Sequence, residues 1–229
     1  MYNFDLTEFD QIISNFFSGE HSKGIKQYEE AISWRDVWDN FDNLTQEQTR
    51  NVILDFLNKW QCRLSYSFVP VLTTSLIETE PLLKPLRTLK IEDLNLHNNF
   101  PYNNNEIELL NSIKDVFDKI SNTSIEIKNS NRTIGSTATS KLLHMAVPDL
   151  FVMWESDIRK YYGYFANGSG YINFMIKMNQ YANYLVSHKD ISKFSVKTSI
   201  PRLLDIYNLI MAKRNKASIH ARAHLSYQK

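Results

Sequence analysis

Cysteine is nearly absent from the sequence. Cys62 stands alone among 229 residues, so no internal disulfide can form and no thiolate metal cage is available. Long hydrophobic runs are missing too. The most apolar stretches are interrupted by Lys, Asp or Asn every few positions, short of the roughly 18 to 20 residues that span a bilayer. No stretch has the form of a signal peptide, so a reducing cytoplasm is the expected home and membrane partners are not expected. There is no Walker loop, no Gly-x-Gly-x-x-Gly, no Gly-x-Ser-x-Gly, no His-Glu-x-x-His and no cysteine pair. These absences argue against nucleotide hydrolases, dinucleotide enzymes, zinc ribbons and thiol redox proteins, and no cofactor is called for.

Glycine and proline are also scarce, six of each. With little to punctuate the chain, apolar residues recur at spacings of three and four, the period of an amphipathic helix. Hydrophobic residues make up 43% of the chain and aromatics 13%, enough for a substantial core. Thr45 and Gln48 form a capping box ahead of the stripe Val52, Ile53, Phe56, Leu57 and Trp60. A helix from about Gln27 to Phe41 precedes it. Pro70, Pro81 and Pro85 are expected to break the next helical stretch into short kinked pieces. Further stripes run from Ile107 to Ile120 and from Tyr171 to Leu185, and Pro201 suits the first turn of a last helix ending near Arg214. Ser121 to Arg132 is polar and Asn-rich, and no strand is convincing, although Ser124 to Lys128 and Phe151 to Trp154 are short enough to be ambiguous. An all-α, multi-helix bundle is the expectation. The Asn-rich loop from His97 to Asn105 suggests subdomains at 1–97 and 106–214, followed by a basic tail over 215–229.

The net charge of +1 hides an asymmetry. Residues 1–61 hold 11 acids against 5 bases, whereas residues 197–229 hold a single acid, Asp205, against 7 bases. A basic arm carrying Lys213, Arg214, Lys216, Arg222 and Lys229 suits a phosphate-rich partner such as DNA or RNA, or serves as a solvated tail.

The most distinctive segment runs from Thr133 to Gly163. A turn at Gly135 leads Ser136, Thr137 and Ala138 into a helix carrying Lys141 and His144. Small residues at such a start let another backbone, or a phosphate, approach the free amides. Pro148 ends that helix and Leu150 to Trp154 dips through the core. Glu155, Ser156 and Asp157 then open a further helix with Arg159 and Lys160, which Gly163 closes. Lys141 and His144 can flank a phosphate, or be a solvent-facing Lys and a hydrogen-bonded His. Glu155 and Asp157 read as catalytic acids or as helix caps.

This order of glycine turn, small-residue helix, Pro-x-x-Phe and acid-led helix resembles the core of the helix-hairpin-helix DNA glycosylase superfamily. It is more similar still to a group of uncharacterised prokaryotic proteins with Lys-x-x-His, Pro-Asp-Leu-Phe and Trp-Asp motifs. The resemblance implies a hairpin at Ile134 to Ala138 gripping the DNA backbone, with Gly135, Ser136 and Thr137 among its contacts. His144, Arg159, Lys160, Lys213 and Arg214 would add contacts to the nucleic acid. It further implies Glu155, or Asp157, activating the attacking group, with Lys141 as a third catalytic candidate. Thr137 replaces the second hairpin glycine, and Lys141 lies farther along the helix than that family's lysine, so the implied chemistry rests on water and the acid. Tyr161, Tyr162, Tyr164 and Phe165 would line a pocket for a flipped base.

Two other constellations are present. Arg214 and His220 fit the Arg-x(4–6)-His pattern of the HEPN ribonucleases, where the pair acts at a dimer interface. His220 and His224 have metal-ligand spacing if helical, but no third ligand lies nearby in the sequence, so no metal is expected. A non-catalytic interaction module is the remaining alternative.

Overall fold

The structure, a computed structural model, describes residues 4–18, 22–94, 96, 102–190 and 198–226, with the side chains at 22, 23 and 220–226 outside that set. It is mostly helical, 72% helix against 4% strand. In chain order the helices are α1 (Leu6–Ser18), α2 (Ser22–Ile32), α3 (Arg35–Trp38), α4 (Gln46–Gln48), α5 (Asp55–Lys59), α6 (Val69–Leu83) and α7 (Asn104–Ser121). Strands β1 (Ser124–Ile127) and β2 (Ser130–Thr133) follow, then α8 (Gly135–Ala146), α9 (Ser156–Tyr162), α10 (Gly168–His188) and α11 (Ile200–Ser226).

Local chemistry sets most of these boundaries. The Thr45/Gln48 capping box is formed in both directions, as is a second at Asn103 and Glu106 that opens α7. Gly163 closes α9 at φ +74, the left-handed conformation that a side chain resists. Between α4 and α5 the chain widens into a π-helical turn, Thr49–Leu54, which keeps Val52, Ile53 and Leu54 all facing inward.

Several expectations are corrected. The stretch from Gln27 to Phe41 breaks at Ser33 and Trp34 into α2 and α3. Pro70 and Pro81 do not fragment α6. Pro70 sits in the first turn, where its missing N–H costs nothing, and Pro81 falls in the last turn, so one 15-residue helix results. The polar stretch after α7 is an antiparallel hairpin pairing Ser124 with Thr133 and Ile127 with Ser130. Its two-residue turn places Lys128 and Asn129 at φ 51 and 60, a geometry matched to strand twist. The expected basic tail over 215–229 is helical as far as Ser226, because nothing after Pro201 stops α11. Of the 97–105 loop, residues 97–101 lie outside the described residues, and α7 already begins at Asn104.

Buried apolar side chains from Phe9 to Ala212 form one cluster that includes residues from both proposed subdomains. Its densest part is aromatic. Trp154 meets Phe117, Tyr171 and Phe174 with ring centroids 5.2 to 5.9 Å apart, and every residue from Leu150 to Trp154 has 0% exposure. That buried segment carries the chain from α8 to α9 and so fixes where Glu155 emerges.

Candidate functional site

The small residues of α8 do have a backbone approaching them, and it belongs to this chain. Ser140 Oγ lies 3.1 Å from both the amide nitrogen and the carbonyl oxygen of Trp154, and the Trp154 indole N–H donates to Ser136 O at 3.3 Å. Arg159 Nη1 donates to Ser136 Oγ at 2.9 Å. Ser136 and Arg159 are thereby engaged with each other. Gly135 opens α8 at φ +77, with Ile134 alone between it and β2, so the turn at Ile134 to Ala138 joins a strand to a helix.

Held in this way, Glu155 occupies the N-cap position of α9, yet its side chain makes no cap bond. Its carboxylate instead meets Lys141 Nζ at 3.0 Å. Lys141 also donates to Trp60 O at 2.8 Å and stands 5.7 Å from the Trp60 ring centroid. The expectation of a solvent-facing Lys141 is corrected: its side chain is 3% exposed, against 39% for Glu155. Asp157 pairs with Lys216 of α11 at 3.1 Å. Lys141, Glu155 and Asp157, singled out in the sequence, thus line one cleft of about 550 Å³.

Two residues of α11 that no motif in the sequence marks also line this cleft. Arg202 and Asp205, both buried on α11, form an ion pair. The Arg202 guanidinium stands 4.8 Å from the Tyr28 ring centroid, 5.0 Å from Trp60 and 5.9 Å from Phe16. Burial pushes the Asp205 carboxyl up to about 6, with Arg202 opposing and the Glu155 charge assisting. One signal was available in the sequence: Asp205 is the only acid among the last 33 residues, and it stands between Leu204 and Ile206.

His144 does not face a ligand. It has 0% exposure, so its place among the nucleic-acid contacts is corrected to one in the core. Its Nδ1–H donates to Phe151 O at 2.7 Å, which leaves Nε2 to accept the Tyr28 hydroxyl proton at 2.7 Å. Burial lowers its pKa to about 3, and burial raises that of Tyr28 to about 12. Nitrogen NMR is therefore expected to find His144 neutral, protonated on Nδ1, from about pH 8 down to about pH 4. A titration near 6.5 would contradict that placement.

The remaining candidates are dispersed. Lys160 is exposed on α9 and Lys213 is exposed beside the cleft, neither with an ion pair among the described residues. Arg214 pairs with Glu8 of α1 at 2.8 Å. The tyrosines and Phe165 do not line the cleft as expected; Tyr162 stacks on Tyr164 and Phe165 is 81% exposed. α11 carries the backbone of His220 and His224, whose side chains lie outside the described residues, as does Lys229. No group of three or more potential metal ligands occurs among the described residues, and none of their helices is long and apolar enough to cross a membrane.

In comparisons with protein-family models, curated proteins and solved structures, none matches the chain.

Proposed function

We propose that this chain contacts nucleic acid and admits one unpaired base into the cleft beneath Trp60, a role of the kind performed by the helix-hairpin-helix glycosylases it resembles. The observation that carries this reading is the meeting of Lys141, Glu155 and Asp157 in one cleft, with an indole on its wall. The volume, about 550 Å³, suits a ligand of nucleoside size. Trp60 places an aromatic ring on the wall, and the half-exposed Glu155 carboxylate is placed to accept a proton from water. Lys213, exposed and without an ion pair among the described residues, supplies a cation for a backbone phosphate.

The test is binding of labelled single- and double-stranded DNA and RNA, followed by anisotropy at roughly 50 and 200 mM salt. Affinity is expected to fall about threefold for each phosphate contact across that range. Lys213→Ala should weaken binding to every sequence alike and lower the salt slope by about one. Absence of salt-dependent binding to all four probes would sink the reading and leave a protein-interaction module.

The continuation of α11 across residues 214–220 favours a second reading, because an Arg-x-x-x-x-x-His pair within a helix is what the HEPN ribonucleases carry. Cleavage of the RNA probe, lost in Arg214→Ala and dependent on dimerisation, would establish it over the first.

A further inference from the structure

We propose that the chain has a second binding site, for a small carboxylate with an apolar body, in the cavity between α1, α2 and α11. This site does not depend on the nucleic-acid reading above. The cavity measures about 450 Å³, within the range that admits a single small molecule. Phe16 and Phe17 of α1, Ile25, Tyr28 and Ile32 of α2, and Ile206 of α11 give it apolar walls. Phe17, Ile25 and Ile32 pack against the core yet stay only half-buried, so they present apolar surface that an occupant would cover.

One cation serves this space. Arg202 lines both the cavity and the cleft, which also share Phe16 and Ile206. Its side chain is 7% exposed, and among the described residues the only hydrogen bond that side chain makes runs from Nη1 to Asp205. The rings of Phe16, Tyr28 and Trp60 flank the guanidinium and give Nε and Nη2 no lone pair to bond. Those two nitrogens form the edge of the fork that can take both oxygens of a carboxylate. Among the described residues, the enclosed polar side-chain atoms without a partner are Asp10 Oδ1, Trp60 Nε1 and Asn179 Oδ1; Nε and Nη2 of Arg202 are not among them. The free edge therefore meets open space rather than packed protein. Asp205 lines the cleft and not the cavity, so the edge turned away from Asp205 faces the cavity.

The remaining polar groups narrow the ligand. Tyr28 gives its hydroxyl proton to His144 Nε2 at 2.7 Å, and Ser33 gives its own to Glu30 O at 2.6 Å. Glu29, the other charged residue on the wall among the described residues, is exposed on α2 and disfavours a second anionic group toward solvent. A monocarboxylate fits these constraints, with its apolar body against α1 and α2 and both oxygens on Arg202. Asp205 does not preclude it, because the planar guanidinium carries donors on both of its edges and can hold one carboxylate on each.

The experiment is titration calorimetry of the whole chain with octanoate, set against 1-octanol, octylamine and acetate at neutral pH. Octanoate should bind at one site, roughly tenfold or more tighter than 1-octanol. Octylamine should not bind, and acetate should bind roughly 100-fold more weakly than octanoate for want of an apolar body. Arg202→Lys keeps the charge without the fork and should weaken octanoate roughly tenfold. Ile25→Trp fills the cavity from its half-buried wall and leaves Arg202 in place; it should abolish binding while the far-UV circular dichroism is unchanged. In nitrogen-15 NMR spectra the Arg202 Nε–H signal, identified by its loss in Arg202→Lys, should shift as octanoate is added. Should Arg202→Lys fail to fold, Ile25→Trp carries the test alone. No binding of octanoate, or equal affinity for 1-octanol or octylamine, overturns the proposal. Octanoate binding that survives Ile25→Trp, or that leaves the Arg202 signal unmoved, also overturns it, because the acid then sits elsewhere.

Discussion

Glu80→Ala is expected to lower the unfolding free energy by about 3 to 5 kcal/mol, measured by urea denaturation at neutral pH. Glu80 projects from α6 with 2% exposure. Its carboxylate accepts from Arg87 Nε at 2.9 Å, from Arg87 Nη2 at 2.6 Å and from the Phe41 amide at 3.1 Å. Arg87 Nη1 in turn donates to Trp38 O and Ala146 O, each at 2.8 Å. One ion pair therefore ties the end of α3 and the end of α8 to α6. Removing the carboxylate leaves a guanidinium and an amide unsatisfied in a low-dielectric setting, and that desolvation penalty dominates the cost. The double variant Glu80→Leu with Arg87→Met should recover part of the loss, since both charges go together. Full recovery is not expected, because the Phe41 amide and two carbonyls would still lack partners. A loss below about 1 kcal/mol for Glu80→Ala would mean that the clasp does not hold these helices together.

What the sequence discloses about this fold is local. The capping box at Thr45, the stripe of α7, the stop at Pro148 and the left-handed close at Gly163 each depend on residues within a few positions of one another. Such patterns survive folding unchanged. The hairpin after α7 was obscured because its turn uses Lys128 and Asn129 in left-handed conformations, without the glycine that usually announces one. The far end of α11 was obscured for another reason: its charge suggested a solvated arm, whereas its alanines and the lack of a stop signal keep it helical. The same division runs through the site. Lys141 and Glu155 are 14 residues apart on one local motif, and each stands out there as a candidate. Arg202 and Asp205 reach the cleft only through packing of α11 against α1, α2 and the chain after α5, a long-range event without a signature at any fixed spacing. His144 illustrates the converse. Its spacing from Lys141 suggested a shared anion, but a helix face that turns a lysine toward the cleft turns the histidine into the core.

Arg202→Met should cost about 3 to 5 kcal/mol at pH 8 and far less at pH 5. The guanidinium compensates Asp205, whose carboxyl is already raised from 3.8 to about 6 by burial. A carboxyl raised on folding contributes stability that is fully present below its unfolded pKa and lost as pH rises through its folded pKa. In the wild type, that loss falls between about pH 4 and pH 6. Without Arg202 the folded pKa climbs higher, so the loss extends upward at about 1.4 kcal/mol per pH unit, and acid restores what alkali removes. Adding Asp205→Asn to Arg202→Met should flatten the profile, because no ionisable group then remains at that point. A smaller, pH-independent deficit should persist in both variants, of roughly 1 to 2 kcal/mol, from the guanidinium withdrawn from the Phe16, Tyr28 and Trp60 rings. Denaturant midpoints at pH 5 and pH 8 separate the two parts. An equal loss at both pH values would mean that Arg202 acts through its rings alone. In that case Asp205 would not be the charge that Arg202 holds in place on the wall of the cleft.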